Sequence, residues 1–150
     1  MARIVLDTNI IVRAVASPIG LASELLRHSI SDRNLLCSSN FMLAELDRVL
    51  RYPRVQRIHG LTDSEIEDFI QSIQQVALVV EVDAAKSMPV TRDREDDPVI
   101  ETAIRSNADY LCSVDLDLLA KDVVDHCKTR GVEVVTDTEL IAILRNRAQD

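Results

Sequence analysis

The chain has 150 residues, 47% hydrophobic and 28% charged, the size and balance of one globular domain spanning 1–150, which excludes a disordered or fibrous class. A formal net charge of −8 argues against passive binding to a phosphate backbone, which needs clustered cations. A nucleic-acid substrate stays open, because acids that hold a divalent cation present the metal to an incoming phosphate. Aromatics are scarce at 3%, so the core must come from Ile, Leu, Val and Ala. Cys37, Cys112 and Cys127 lie in apolar stretches and read as reduced, buried thiols. With no long apolar leader and no run near the roughly 18 apolar residues of a membrane span, a cytoplasmic protein off the membrane is expected.

In chain order, Arg3 to Leu6 predicts a buried strand that runs into Asp7. Asn9 to Ala16 and Leu21 to Ile30 predict helices, broken by Ser17-Pro18-Ile19-Gly20. Leu35 to Cys37 predicts a second strand, followed by a helix from Asn40 to Arg51 capped by Ser38 or Ser39. A short basic helix, Arg54 to Ile58, ends at Gly60. Thr62-Asp63-Ser64-Glu65 is a capping box, opening a helix with Ile66, Phe69, Ile70, Ile73 and Val76 at helical spacing. Leu78 to Val82 predicts the third strand. Asp97-Pro98 opens a helix to Ser106, Tyr110 to Val114 predicts a strand, and a helix follows from Leu118 to Thr129. Val132 to Val135 is the last strand, and Thr136-Asp137-Thr138-Glu139 caps the terminal helix. Aliphatic strands alternating with helices predict an α/β, doubly wound fold around a parallel sheet.

Open α/β sheets bind ligands beyond the carboxyl ends of their strands. Two strands here end in acid: Leu6 leads into Asp7, and Val114 leads into Asp115, with Asp117 two residues on. Either Asp alone would be an ordinary turn or cap residue. Glu45 is a third acid, on the border of the apolar stripe formed by Met42, Leu43, Leu46, Val49 and Leu50. The run Glu95-Asp96-Asp97 before Pro98 supplies a fourth, ambiguous between Asp96 and Asp97. Four converging carboxylates repel unless a cation lies among them, and Mg²⁺ or Mn²⁺ suits oxygen donors. His28, His59 and His126 are scattered away from these acids, which argues against zinc. Arg48, Arg51, Arg54 and Arg57 recur every third residue, with Arg13, Arg92 and Arg94 nearer the expected mouth. They form a groove that tracks a nucleic-acid backbone, a protein-binding surface or a solvated basic face.

The stretches Ile4 to Asn9, Ala44 to Leu50, Arg92-Asp93 through Asp97 and Ala108 to Leu119 resemble a PIN domain. Within that family they are similar to the toxin components of toxin–antitoxin pairs. With Pro53 and the closing strand and helix from Val132 to Leu144, the resemblance spans nearly the whole chain. It implies a three-layer α/β/α sandwich and a Mg²⁺- or Mn²⁺-dependent endoribonuclease. Carried over, the catalytic acids are Asp7, Glu45, Asp97 and Asp115, and the metal ligands Asp7, Asp97, Asp115 and Asp117. Asp97 is favoured over Asp96 because Val99, Ile100 and Ala103 then fit the family's helix register. Asn9 and Ser113 match polar positions lining the site, and Arg51 and Arg54 are the candidate substrate contacts. Val114 departs from the small or charged residue usual before that Asp. The implied partners are RNA and a small antitoxin, with a homodimer as a further option.

Two rivals fit less well, and a third shares the fold. A dehalogenase-type phosphohydrolase needs a second acid two residues after Asp7, where Asn9 stands. A receiver-like Mg²⁺-binding signalling domain needs a Lys ending its fifth strand, where Val135-Thr136 stands. A PIN-like binding module without catalysis is the third, and the complete acid set argues against it.

Overall fold

In the computed structural model, which describes residues 1–87, 89–90 and 96–149, five aliphatic runs form strands. They are β1 (Ala2–Leu6), β2 (Asn34–Ser39), β3 (Leu78–Val80), β4 (Tyr110–Cys112) and β5 (Glu133–Val135). All pair in parallel in the order β3-β2-β1-β4-β5. The helices are α1 (Thr8–Ala16), α2 (Leu21–Ser29), α3 (Asn40–Leu50), α4 (Pro53–His59), α5 (Asp63–Val76), α6 (Asp97–Arg105), α7 (Lys121–Thr129) and α8 (Asp137–Gln149). No single helix among the described residues is long and apolar enough to cross a membrane.

Alternation along the strands builds the layers. Ile4, Leu6, Leu36, Cys112 and Val135 pack on one face, against apolar residues of α1, α2, α3, α5 and α8. Val5, Cys37, Leu111 and Val134 pack on the other, against residues of α6 and α7. The result is the three-layer α/β/α sandwich. Because β1 is central, the chain builds outward through β2 and β3, then crosses over to add β4 and β5. The strand order therefore reverses beside β1, and the crevice between the ends of β1 and β4 is where this topology places a site.

Among the boundaries that differ from the sequence expectation, three have a visible reason. β3 stops at Val80 and not Val82, because the Asn40 side-chain amide takes over as partner. Asn40 Oδ1 accepts from the Val82 N–H at 2.7 Å, and Asn40 Nδ2 donates to the Val82 carbonyl at 3.1 Å. β4 stops at Cys112 and not Val114, because Ser113 turns the chain into a loop that hydrogen-bonds across the site. α7 starts at Lys121 and not Leu118, since the amides of Leu118 and Leu119 both donate to the Asp115 carbonyl in a separate turn.

Helix α3, which carries Glu45, is anchored at Ser39. That hydroxyl accepts from the Met42 N–H at 3.2 Å and hydrogen-bonds the Thr102 hydroxyl of α6 at 2.8 Å, with no exposure to solvent. Ser39→Ala is expected to lower stability by about 1–2 kcal/mol, as for loss of an N-cap. Urea denaturation should show this as a lower midpoint at an unchanged slope. A wild-type midpoint would mean that the cap contributes nothing to holding α3.

Candidate metal centre and active site

At the end of β1 the chain enters α1 through Asp7, whose amide donates to the Cys112 carbonyl at 2.9 Å and so ties β1 to β4. The Asp7 carboxylate is buried and held at both oxygens. Oδ1 accepts from the Thr8 N–H at 2.8 Å, and Oδ2 accepts from the Ser113 hydroxyl at 2.8 Å. Burial pushes the Asp7 carboxyl above its ordinary range. The Ser113 and Thr8 hydrogen bonds oppose that shift, while the nearby charges of Glu45 and Asp115 add to it. Glu45 arrives from α3, and its Oε2 accepts from the Thr8 hydroxyl at 3.0 Å.

The loop after β4 is a relay in which each polar group sets the next. Ser113 Oγ donates to Asp7 and accepts from the Asp115 N–H at 3.0 Å. Asp115 Oδ1 then accepts from the Asp117 N–H at 2.9 Å. Asp115 and Asp117 are half-buried, and Asp96 from the start of α6 joins them. One carboxylate oxygen from each of Asp96, Asp115 and Asp117 lies within 4.8 Å of the others. Asp115 thus belongs to both groups, close to Asp7 on one side and to Asp96 and Asp117 on the other.

The two adjacent acids at the start of α6 are placed differently. Asp97, favoured as catalytic acid and metal ligand, is not in this group; Asp96 is. Asp97 is 2% exposed, and its Oδ1 accepts from the Val90 N–H at 3.0 Å. It lines a cavity of about 220 Å³ with Val90, Ile100, Ile104, His126 and Arg130. The reason is helical phase. Asp97, Ile100 and Ile104 share one stripe of α6, which packs toward the α7 side, whereas Asp96 precedes the first turn and stays in the loop layer.

Of the remaining candidates, Ser113 sits at the centre of the hydrogen-bond relay, and Asn9 is exposed on α1 two residues from Asp7. Arg51 is held by acids, with Nε 3.1 Å from Asp47 and an amino nitrogen 3.6 Å from Asp63. Arg48, Arg54 and Arg57 are exposed. Arg13 pairs with Asp137 at 3.4 Å, and Arg92 and Arg94 lie outside the described residues. Thr8, which sequence reasoning passed over, touches two of the acids at once. Its signal was adjacency to Asp7, but only the packing of α1 against α3 brings its hydroxyl to Glu45.

The donor set is all carboxylate oxygen, half-buried and clustered, which is what a hard divalent cation takes and what zinc sites rich in His and Cys do not resemble. The residues fit such an ion. All three thiols are buried, and burial pushes Cys112 up to about 12 and Cys127 up to about 11, so neither is a nucleophile near neutral pH.

A family model described as a PIN domain matches residues 3–117 of this sequence. Among curated proteins none matches. Among solved structures, the fold is similar to a chain in the crystal structure of VapBC2 from Rickettsia felis bound to a DNA fragment from their promoter. That match has a TM-score of 0.57 at 12% identity, and covers 89% of this chain and 98% of the other.

Proposed function

The chain belongs to the PIN-domain family, and on that premise we propose that it is a divalent-metal-dependent endoribonuclease, the toxin of a toxin–antitoxin pair. The observation that carries the reading is the acid cluster at the strand-order reversal: Asp96, Asp115 and Asp117 within 4.8 Å, beside the buried Asp7. Carboxylates this close repel one another unless a cation lies among them.

In this reading Asp96, Asp115 and Asp117, with Asp7, hold one or two Mg²⁺ or Mn²⁺ ions. When bound, such an ion lowers the pKa of its water and offsets charge on phosphate oxygens. Hydrolysis adds water across a phosphodiester: an oxygen–phosphorus bond forms and the bond to the departing ribose oxygen breaks. The attacking water must lose a proton, and Glu45 is the acid placed to take it. Its Oε2 is fixed by Thr8, its other oxygen has no hydrogen-bond partner among the described residues, and with Asp7 it stands outside the Asp96 group. Ser113 keeps Asp7 and Asp115 in register. The RNA backbone is assigned to the exposed Arg48, Arg54 and Arg57, and not to Arg51, whose guanidinium already serves Asp47 and Asp63. Like the VapBC2 neighbour, which is a complex bound to promoter DNA, the protein is proposed to work with a small antitoxin.

The test is cleavage of a circular single-stranded RNA with Mg²⁺ or Mn²⁺ and then with EDTA. A circle has no ends, so opening it requires an endonuclease. Metal-dependent opening that EDTA stops is the expected result. Opening that persists in EDTA would overturn the metal assignment, and an intact circle with either ion would overturn the nuclease.

A further inference from the structure

We propose that Thr8 is a positioning residue that sets the Glu45 carboxylate for the metal centre; the inference rests on the metal-dependent reading above. Thr8 is the first residue of α1 and is 4% exposed. Its backbone N–H donates to Asp7 Oδ1 at 2.8 Å, and its hydroxyl donates to Glu45 Oε2 at 3.0 Å. One residue therefore binds two acids from two different elements, a strand end and the middle of α3.

The hydroxyl is not needed to pack α1 against α3. Ile10, Ile11, Leu43 and Leu46 are all buried in the same apolar cluster and already join the two helices. Its partner, moreover, is a long side chain at the rim of the core. An unheld Glu there would exchange rotamers freely. The Asp7 and Glu45 charges lie close enough to repel one another. A neutral donor on Oε2 opposes that repulsion before any ion arrives. It also occupies one chosen oxygen, which leaves Oε1 as the one that can meet an ion or its water. The site's geometry is thereby set in the protein and not imposed by the metal.

In the reading above Glu45 meets the ion through a water, and disturbing such an outer-shell partner typically costs about 10–100-fold in metal affinity or activity. The experiment measures Mn²⁺ binding by titration calorimetry for wild type, Thr8→Val, Thr8→Ser, Glu45→Gln and the double variant Thr8→Val with Glu45→Gln. Thr8→Val is expected to bind Mn²⁺ about 10-fold or more weakly, and Thr8→Ser to stay within about twofold of wild type. In the Glu45→Gln background, Thr8→Val should add less than about twofold, because its charged partner is already gone. A purely structural role would weaken binding equally in both backgrounds and would overturn the proposal. So would wild-type affinity in Thr8→Val. If Thr8→Val does not fold, Thr8→Ala takes its place with the same expected values. A wild-type protein that binds no Mn²⁺ would overturn the metal centre itself, and the Thr8 role with it.

Discussion

Asp7→Asn is expected to abolish metal-dependent RNA cleavage while leaving the fold intact. The change preserves volume, and the amide keeps an oxygen for the Thr8 N–H and offers Ser113 a donor. What disappears is the negative charge of the buried carboxylate at the end of β1, which Ser113 links to Asp115. A fall of about 10³-fold or more corresponds to about 4 kcal/mol of transition-state stabilisation. The stability of the metal-free protein should move the other way. Burial raises the Asp7 carboxyl above its ordinary value of 3.8, so the folded chain binds that proton more tightly than the unfolded chain. This contribution to stability is complete below the ordinary value and is lost as the pH rises through the raised one. Above that window the ionised carboxylate works against folding. In EDTA at pH 7, Asp7→Asn should therefore be at least as stable as wild type, and its advantage should shrink on acidification toward the ordinary value. Thermal unfolding of both proteins from acid to neutral pH measures this. An advantage that grows on acidification would contradict the burial argument, and undiminished cleavage would remove Asp7 from the mechanism.

The second large effect separates the two adjacent acids of α6. Asp96→Asn removes a charge from the group shared with Asp115 and Asp117, and Mn²⁺ affinity should fall by about 10–100-fold with little change in stability. Asp97→Ala should do the reverse. It removes a buried acceptor of the Val90 N–H, and hydrogen bonds to charged groups contribute about 1.5–3 kcal/mol. For a chain of this length that corresponds to a lowering of Tm by roughly 3–12 °C. Its Mn²⁺ affinity should stay within about twofold of wild type. A folded Asp97→Ala protein that loses Mn²⁺ binding, beside an Asp96→Asn protein that keeps it, would reverse the assignment of the third acid.

Most of the architecture was legible in the chain because it depends on short-range patterns. Continuous aliphatic runs such as Ile4-Val5-Leu6 and Val132 to Val135 marked buried parallel strands. The capping boxes at Thr62 and Thr136 started helices α5 and α8, and each has the reciprocal Thr–Glu hydrogen bonds. Gly60, at φ +73°, ends α4 in the left-handed conformation that glycine adopts without strain. Pro98 fits the first turn of α6. Each feature is decided within about one helical turn of sequence. None needs the rest of the protein.

The site is different in kind. The sequence by itself identified the acids that follow strands, Asp7 and Asp115, because a strand's carboxyl end is a local property and the topology then gathers such ends on one edge. It did not resolve Asp96 from Asp97, since one residue changes a helix position by about 100° and only packing fixes which acid faces the loop layer. It placed Arg51 in one row with Arg48, Arg54 and Arg57, although Asp63, at the start of α5, claims part of its guanidinium. Thr8 gave no local sign of a role toward Glu45, 37 residues away in the chain. Those contacts join side chains from separate elements, and their distances depend on how α1, α3 and the loop after β4 pack around the sheet. Tertiary structure alone decides them, because a hydrogen bond of 3 Å tolerates far less displacement than the periodicity of a strand or helix specifies.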